Sequence, residues 1–167
     1  MTFEEITHLI KTQFGDGVGI TQHSAGLMPY ITINADSITE VCDFLYRNPQ
    51  MYFDYLACMT GIDLGAEAGK IEIAYNLYSI PYDTKYCIKI SVNRNELNTT
   101  PLPTVKSVSH IWRTADWHER EMFDLVGVNF DGHPDLRRIL LPADWEGHPL
   151  RKDNKTQEYY HEIKVAY

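Results

Sequence analysis

No run of 18 or more apolar residues occurs in this chain, which excludes a membrane-spanning helix of ordinary length. The first residues lack a basic segment followed by an apolar one and carry Glu4 and Glu5 instead. They are not rich in Arg and Ser either. Neither a secretory nor a mitochondrial leader is expected, which predicts a protein of the cytoplasmic side. Cysteine is scarce: Cys42, Cys58 and Cys87 stand far apart with no C-x-x-C pair. That spacing excludes a clustered iron–sulfur ligand set and predicts reduced thiols packed in the core at all three positions. Basic residues are outnumbered, 15 against 23 acidic, for a formal net charge of −8 and a pI near 5.3. Such a surface repels phosphate backbones and anionic lipid, so nucleic acid is excluded as a partner and membrane contact is expected only through another protein. A phosphate-binding glycine loop is missing too. Gly15-Asp16-Gly17-Val18-Gly19 follows a helix rather than joining a strand to one, so it reads as a flexible turn.

What is present is ordinary globular material. The chain has 167 residues, 44% apolar and 23% charged, the size of one domain that can bury about 70% of its unfolded surface. Thr2 and Glu5 form a capping-box pattern for a first helix with Phe3, Ile6, Ile10 and Phe14 on one face and Gly15 at its end. Tyr30 to Asn34 reads as a short strand. A second helix is predicted from Asp36 or Ser37, boxed by Glu40, with Ile38, Val41, Cys42 and Leu45 inward, and stopped at Asn48-Pro49. The run Phe53 to Met59 and the alternations Ile71-Ile73-Tyr75-Leu77 and Tyr86-Ile88-Ile90-Val92 predict a meander. Val105, Val108, Trp112 and Ala115 then return to helical spacing. Asp116 with Glu119 boxes a further helix that Gly127 ends. The fold class is α+β: a mixed or antiparallel sheet flanked by helices.

From Asn129 neither period continues, yet Ile139, Leu140, Leu141, Trp145 and Leu150 make a disordered tail improbable in composition. The expected organisation is a globular part over 1–128 and an irregular C-terminal arm over 129–167, ordered either on its own domain or along a partner. The arm contains an internal echo: Gly132-His133-Pro134-Asp135-Leu136-Arg137-Arg138 returns fifteen residues later as Gly147-His148-Pro149-Leu150-Arg151-Lys152-Asp153. Each Gly-His-Pro should fix a turn, and the basic residues after it should seek carboxylates, for which the guanidinium fork is suited. Catalytic readings are weak. His118-Glu119 lacks the second histidine of a zinc-protease motif, since Met122 stands there, and Glu119 and Glu121 point in different directions on a helix. Capping and ion pairs with arginines are expected of them instead. The pairs His118/Glu119 and His133/Asp135 have no nucleophile close by, so a stand-alone hydrolase is a remote alternative.

The same segments resemble a known signature. Glu119-Arg120-Glu121, Asp124-Leu125, Gly127-Val128, Phe130, Gly132 through Leu140, Asp144-Trp145 and Gly147 through Asp153 are similar to the C subunit of respiratory complex I, the NADH:quinone oxidoreductase. A sparser likeness runs upstream through Asp63, Tyr75 to Ser79, Ser107 to Trp112 and Trp117, leaving only the first fifty residues without it. The resemblance implies a scaffold protein with no cofactor of its own, FMN and iron–sulfur clusters being held by its partners. It implies an α+β domain whose extension packs on the quinone-reducing D subunit, on the cytoplasmic side of the cell membrane. It assigns docking of the arm to Glu119, Arg120, Glu121, Asp124, His133, Asp135, Arg137, Arg138, Arg151, Lys152 and Asp153. A form separate from the D subunit is expected because the sequence stops at Tyr167. Asn154-Lys155-Thr156 departs from the aromatic–proline continuation of many relatives. The equivalent component of a membrane-bound hydrogenase or of a ferredoxin-fed relative is the alternative within the same superfamily.

Overall fold

The computed structural model describes residues 1–96, 99–155 and 157–165. Thr156, within the expected arm, and the arm's last two residues lie outside that range. Helix α1 (Phe3–Phe14) opens with the capping box as expected. The Thr2 hydroxyl accepts from the Glu5 N–H, and the Glu5 carboxylate takes the Thr2 N–H. Gly15 ends it at φ 63°, a backbone that favours glycine. Helix α2 (Ile38–Arg47) keeps its expected buried stripe, but its expected box is not made. A 3-10 turn over Ala35–Ser37 leads into it, which leaves the Ser37 side chain without a capping bond.

Five strands form one mixed sheet: β1 (Thr21–His23), β2 (Tyr30–Ile33), β3 (Tyr55–Asp63), β4 (Lys70–Ser79) and β5 (Thr84–Asn93), in the order β1-β2-β5-β4-β3. The meander β3-β4-β5 is antiparallel, as its alternation predicts, while β2 joins β5 in parallel. Register places Ile31, Ile33, Ile73, Tyr75, Leu77, Tyr86, Ile88 and Ile90 on one fully covered face. A slip of one residue would turn that whole set to solvent, at about 1.5–3 kcal/mol per large side chain, so the register is strongly fixed. Helices α1 and α2 close this face. Thr7 and Tyr86 share a 2.7 Å hydroxyl contact, and Phe14 meets Phe44 edge-on at 5.5 Å.

The segment after Pro103 differs from the helix expected there. Residues Thr104–Lys106 form β6, which pairs in parallel with β7 (Asn129–Asp131), and turns follow until α3 begins at Arg113. Val105, Val108, Trp112 and Ala115 are all buried nonetheless. Their spacing reported burial, and a strand followed by turns buries them as well as a helix would. Helix α3 (Arg113–Leu125) packs beside β3, with the Trp112 indole N–H donating to the Phe53 carbonyl at 2.9 Å. Asp116 lies in its first turn rather than at a cap. Gly127, at φ 74°, donates its N–H to the Met122 carbonyl and turns the chain into β7, the stop expected of it. Residues 129–131, expected at the start of the arm, thus form a strand of the globular body. Beyond them, the described chain is irregular apart from the ribbon β8 (Tyr159–Tyr160) and β9 (Ile163–Lys164). Of the cysteines, Cys42 and Cys87 are buried, but Cys58 is exposed: a β-bulge between Leu56 and Cys58 shifts the alternation of β3, so Cys58 pairs with Asn76 on the face opposite the buried Met59/Tyr75 pair.

Candidate docking site

The arm returns onto its own domain through two buried carboxylates. Asp124, in the last turn of α3, accepts from the Arg138 guanidinium at 2.7 Å and from the N–H groups of Ile139, Leu140 and Leu141 at 3.0, 2.8 and 2.9 Å. Burial alone would raise its pKa. The three amide bonds and the Arg138 contact outweigh that and hold it below the usual carboxylate value. Asp63, at the end of β3, receives Arg94 at 2.7 Å, the Lys152 N–H at 2.8 Å and the Gly65 N–H at 3.0 Å. Burial again opposes ionisation, but these donors win and lower the group to about 2. Arg94 also reaches Asp153. Each carboxylate therefore serves as a fixed acceptor around which a piece of irregular chain is folded.

The echo in the sequence becomes a repeated attachment along α3. In the first copy the His133 Nε2–H donates to the Asp116 carbonyl at 3.1 Å, and in the second the His148 Nδ1–H donates to the Asp124 carbonyl at 3.0 Å. A carbonyl can only accept, so the two rings hold opposite tautomers. Nδ1 of His133 in turn accepts the Asp135 N–H at 3.0 Å. The two carbonyls are eight residues apart on one helix, about 12 Å, which sets the spacing of the two turns. Burial lowers the His148 pKa and keeps the ring neutral for this role. The ring also explains Gly127: a Cβ there would stand 2.5 Å from His148 Cδ2.

The basic residues divide. Arg138 finds the expected carboxylate, and exposed Arg137 pairs with exposed Asp135 at 2.9 Å. Arg151 does not. Its buried guanidinium donates to the carbonyls of Val126, Gly127 and Asn95 and to Asn95 Oδ1, within hydrogen-bond range throughout. Lys152 uses its backbone N–H on Asp63 and its ammonium on the Leu64 carbonyl at 3.3 Å. Arg120 lies over Trp117, 5.4 Å from the ring centre, and its Nε donates to the Arg137 carbonyl at 3.3 Å.

Glu119 departs most from expectation. It pairs with no arginine and caps no helix. It is wholly buried and accepts the Ser107 hydroxyl at 2.6 Å and the Val108 N–H at 2.8 Å, with His133 at 4.0 Å. Burial raises its pKa to about 7 against the pull of those two donors. Glu121, two positions on, is exposed on the opposite side of α3, as the angular argument required.

Sequence reasoning missed Arg94 and Asn95, because their partners lie 31 to 59 positions away and no local pattern marks them. Of the residues named for docking, His133, Arg138 and Arg151 attach along α3 and the turn after it, and Lys152 and Asp153 attach at Asp63 and Arg94, whereas Glu119 is buried and Glu121 is exposed on the other side of the helix. Many of them hold the arm in place, and the side chains left outward include Trp117, Leu140 and Leu150, each about 60% exposed. Among the described residues no group of three or more His, Cys, Asp or Glu side chains could hold a metal ion. Among the described residues no helix is long and apolar enough to cross a membrane.

Comparison with known proteins identifies the family. The family model described as "Respiratory-chain NADH dehydrogenase, 30 Kd subunit" matches residues 31–160. The likeness therefore begins some twenty residues earlier than the sequence signature showed. The NADH-quinone oxidoreductase C subunit of Chloroherpeton thalassium is 42% identical, over 95% of this chain and 63% of that protein. The C subunit of Chlorobium phaeobacteroides is 39% identical, over 95% of this chain and 92% of its own length. A C subunit of Rhizobium meliloti is 37% identical over 95% and 84%. Among solved structures, a chain of the membrane-bound sulfane sulfur reductase, an archaeal respiratory membrane complex, shares the fold with a TM-score of 0.66. It is 20% identical, with 86% of this chain and 78% of that one covered. The match over residues 31–160, with relatives of this identity and coverage, makes the chain a member of the family of the 30 kDa subunit, or C subunit, of the respiratory NADH dehydrogenase.

Proposed function

We propose that this chain is a scaffold subunit of a proton-translocating NADH:quinone oxidoreductase, without a redox centre of its own. FMN and iron–sulfur clusters in partner subunits carry electrons from NADH to quinone, and this chain holds the quinone-reducing D subunit in the peripheral arm, on the cytoplasmic side of the membrane. The observation that supports it most is the family match together with relatives named as the C subunit of that enzyme over 95% of the chain. The geometry adds a reason for docking. Asp63, Asp124 and Arg151 tie an irregular arm to the body, with Leu140, Leu150 and the Asp135/Arg137 pair left outward, as is Trp117 of α3. A preformed surface of this kind binds without first losing conformational entropy.

Co-purification tests the reading. The tagged chain is drawn from mildly solubilised membranes of its host. Recovery with FMN- and iron–sulfur-containing subunits and NADH:quinone activity supports it. Nickel-containing partners would move the chain to the hydrogenase branch, and a ferredoxin-dependent assembly to the ferredoxin-fed one. A chain recovered alone would overturn it.

A further inference from the structure

Among the described residues, strand β3 has one side without a partner strand. At its start the Thr114 hydroxyl donates to the Leu56 carbonyl at 3.2 Å, and at its end Asp63 is taken up by Lys152. Between these ties, residues 57–62 have β4 on one side only. Among the described residues, no backbone group outside the β3–β4 ladder bonds to them. In an antiparallel ladder alternate residues direct N–H and C=O away from their neighbour strand. Past the bulge, residues 58–62 thus offer a row of backbone groups about 17 Å long, with the Cys58 thiol 3.6 Å from the Met59 carbonyl. Edges are ordinarily blunted by proline, by charge, by a β-bulge or by a covering element, and here a bulge between Leu56 and Cys58 leaves residues 58–62 as the regular part of the edge. Residues 57–62 read Ala-Cys-Met-Thr-Gly-Ile, with neither charge nor proline.

A groove of about 240 Å³ runs alongside. Residues Cys58 to Gly61 make one wall, and Met122, Leu125 and Val126 of α3 make the other, with Leu150 of the arm beside them. Gly61 keeps it open at its floor, since a Cβ there would stand 3.2 Å from the Met122 thioether. No Lys or Arg lines it. The charged group at its rim is the Glu121 carboxylate, with His118 beside it.

We propose that an extended segment of a partner subunit adds to the free edge of β3 as a sixth strand, filling this groove with apolar side chains at alternate positions and setting a basic residue against Glu121. The row of backbone groups calls for another backbone with groups to spare, which a helix does not have. The groove calls for apolar side chains, and its rim charge for a cation. A second copy of this chain fits poorly, because edge-to-edge pairing would bring Glu121 toward Glu121 between two bodies of net charge −8 each. Leu150 belongs both to this groove and to the outer surface of the arm, so the two form one continuous interface. The proposal rests on the reading of the chain as part of a larger assembly.

Cys58 is a reporter built into the groove, since it is exposed whereas Cys42 and Cys87 are buried. N-ethylmaleimide should label Cys58 in this chain alone at least about tenfold faster than in the purified complex. Amides of residues 57–62 should exchange about 100-fold more slowly in the complex. A short cross-linker placed on Cys58 in the complex should join an extended stretch of another subunit, and Cys58→Ser should abolish both labelling and cross-link. Equal labelling and equal exchange in the two forms would overturn the proposal, as would a cross-link to a second copy of this chain. A chain found in no complex defeats the functional reading, and the strand addition with it. A complex in which Cys58 stays reactive defeats the strand addition alone.

Discussion

The guanidinium of Arg138 lies 2.7 Å from a buried carboxylate oxygen of Asp124, across the junction between helix α3 and the arm, while the other oxygen of Asp124 gathers three successive backbone N–H groups. One side chain thus supplies both the charge partner and the backbone acceptors that an irregular segment needs when it has no helix or sheet of its own.

Arg138→Ala leaves that carboxylate without its cation, and removal of one partner of a buried pair costs about 3–5 kcal/mol at the upper end. Because Arg138 is partly exposed, the lower end of that range is expected. Urea denaturation of the isolated chain should register the loss. In cells the variant should lower the amount of assembled complex more than it alters the turnover of what does assemble. Normal abundance with lost quinone reduction would contradict the scaffold role of this residue.

Gly127→Ala meets two obstacles at once. The backbone stands at φ 74°, where a Cβ costs about 1–2 kcal/mol. The added carbon would also press on a His148 ring that its hydrogen bond to Asp124 prevents from yielding. His148→Ala should relieve only the steric part, so the double variant should be more stable than the sum of the two single losses. Simple additivity in a double-mutant cycle would refute this account.

Stability should depend on pH from both sides. Asp63 ionises at about 2 in the folded protein against 3.8 as its ordinary value, so its contribution is present above about pH 4 and is lost as pH falls toward 2. Glu119 has the opposite sign. Its folded value of about 7 exceeds the ordinary 4.5, so its contribution is complete below about pH 4.5 and is lost as pH rises through 7. Glu119→Gln should flatten the slope between pH 5 and 8, and Asp63→Asn the slope below pH 4. Denaturant midpoints measured across that range give the answer, and an unchanged slope in either variant would count against the corresponding assignment.

Arg151→Lys should not be conservative. The guanidinium reaches oxygens on the turn after α3 and on Asn95, whereas an ammonium has three donors around one atom and cannot span both. A loss of about 2 kcal/mol is expected from unpaired buried carbonyls. Equal melting temperatures for the variant and the parent would show that the fork geometry is immaterial.

What could be read from the sequence follows from how local each signal is. The capping box at Thr2/Glu5, the stripe of α2 and the alternation of β4 and β5 are patterns with a period of 3.6 or 2. They fix which side of each element is apolar, whatever lies opposite. The same logic misread residues 105–115, since burial of Val105, Val108, Trp112 and Ala115 does not specify the backbone that achieves it. It also placed Cys58 in the core, because an apolar run does not reveal the β-bulge between Leu56 and Cys58 that turns this side chain outward. The signature around the two Gly-His-Pro turns was legible as a pattern, and it marked the arm.

The sequence by itself determined an acidic α+β domain, the inward faces of its helices and strands, and the turns at Gly15 and Gly127. Only the tertiary structure decided the arm's course, the choice of Asp63 and Asp124 as its anchors, the roles of Arg94 and Asn95, and the burial of Glu119 with hydroxyl and amide partners instead of an arginine. Periodic elements satisfy their own backbone and need only an apolar partner. An aperiodic segment must find acceptors for its N–H groups elsewhere, and which carboxylate stands within reach is settled only when residues 31 to 89 positions apart are brought together.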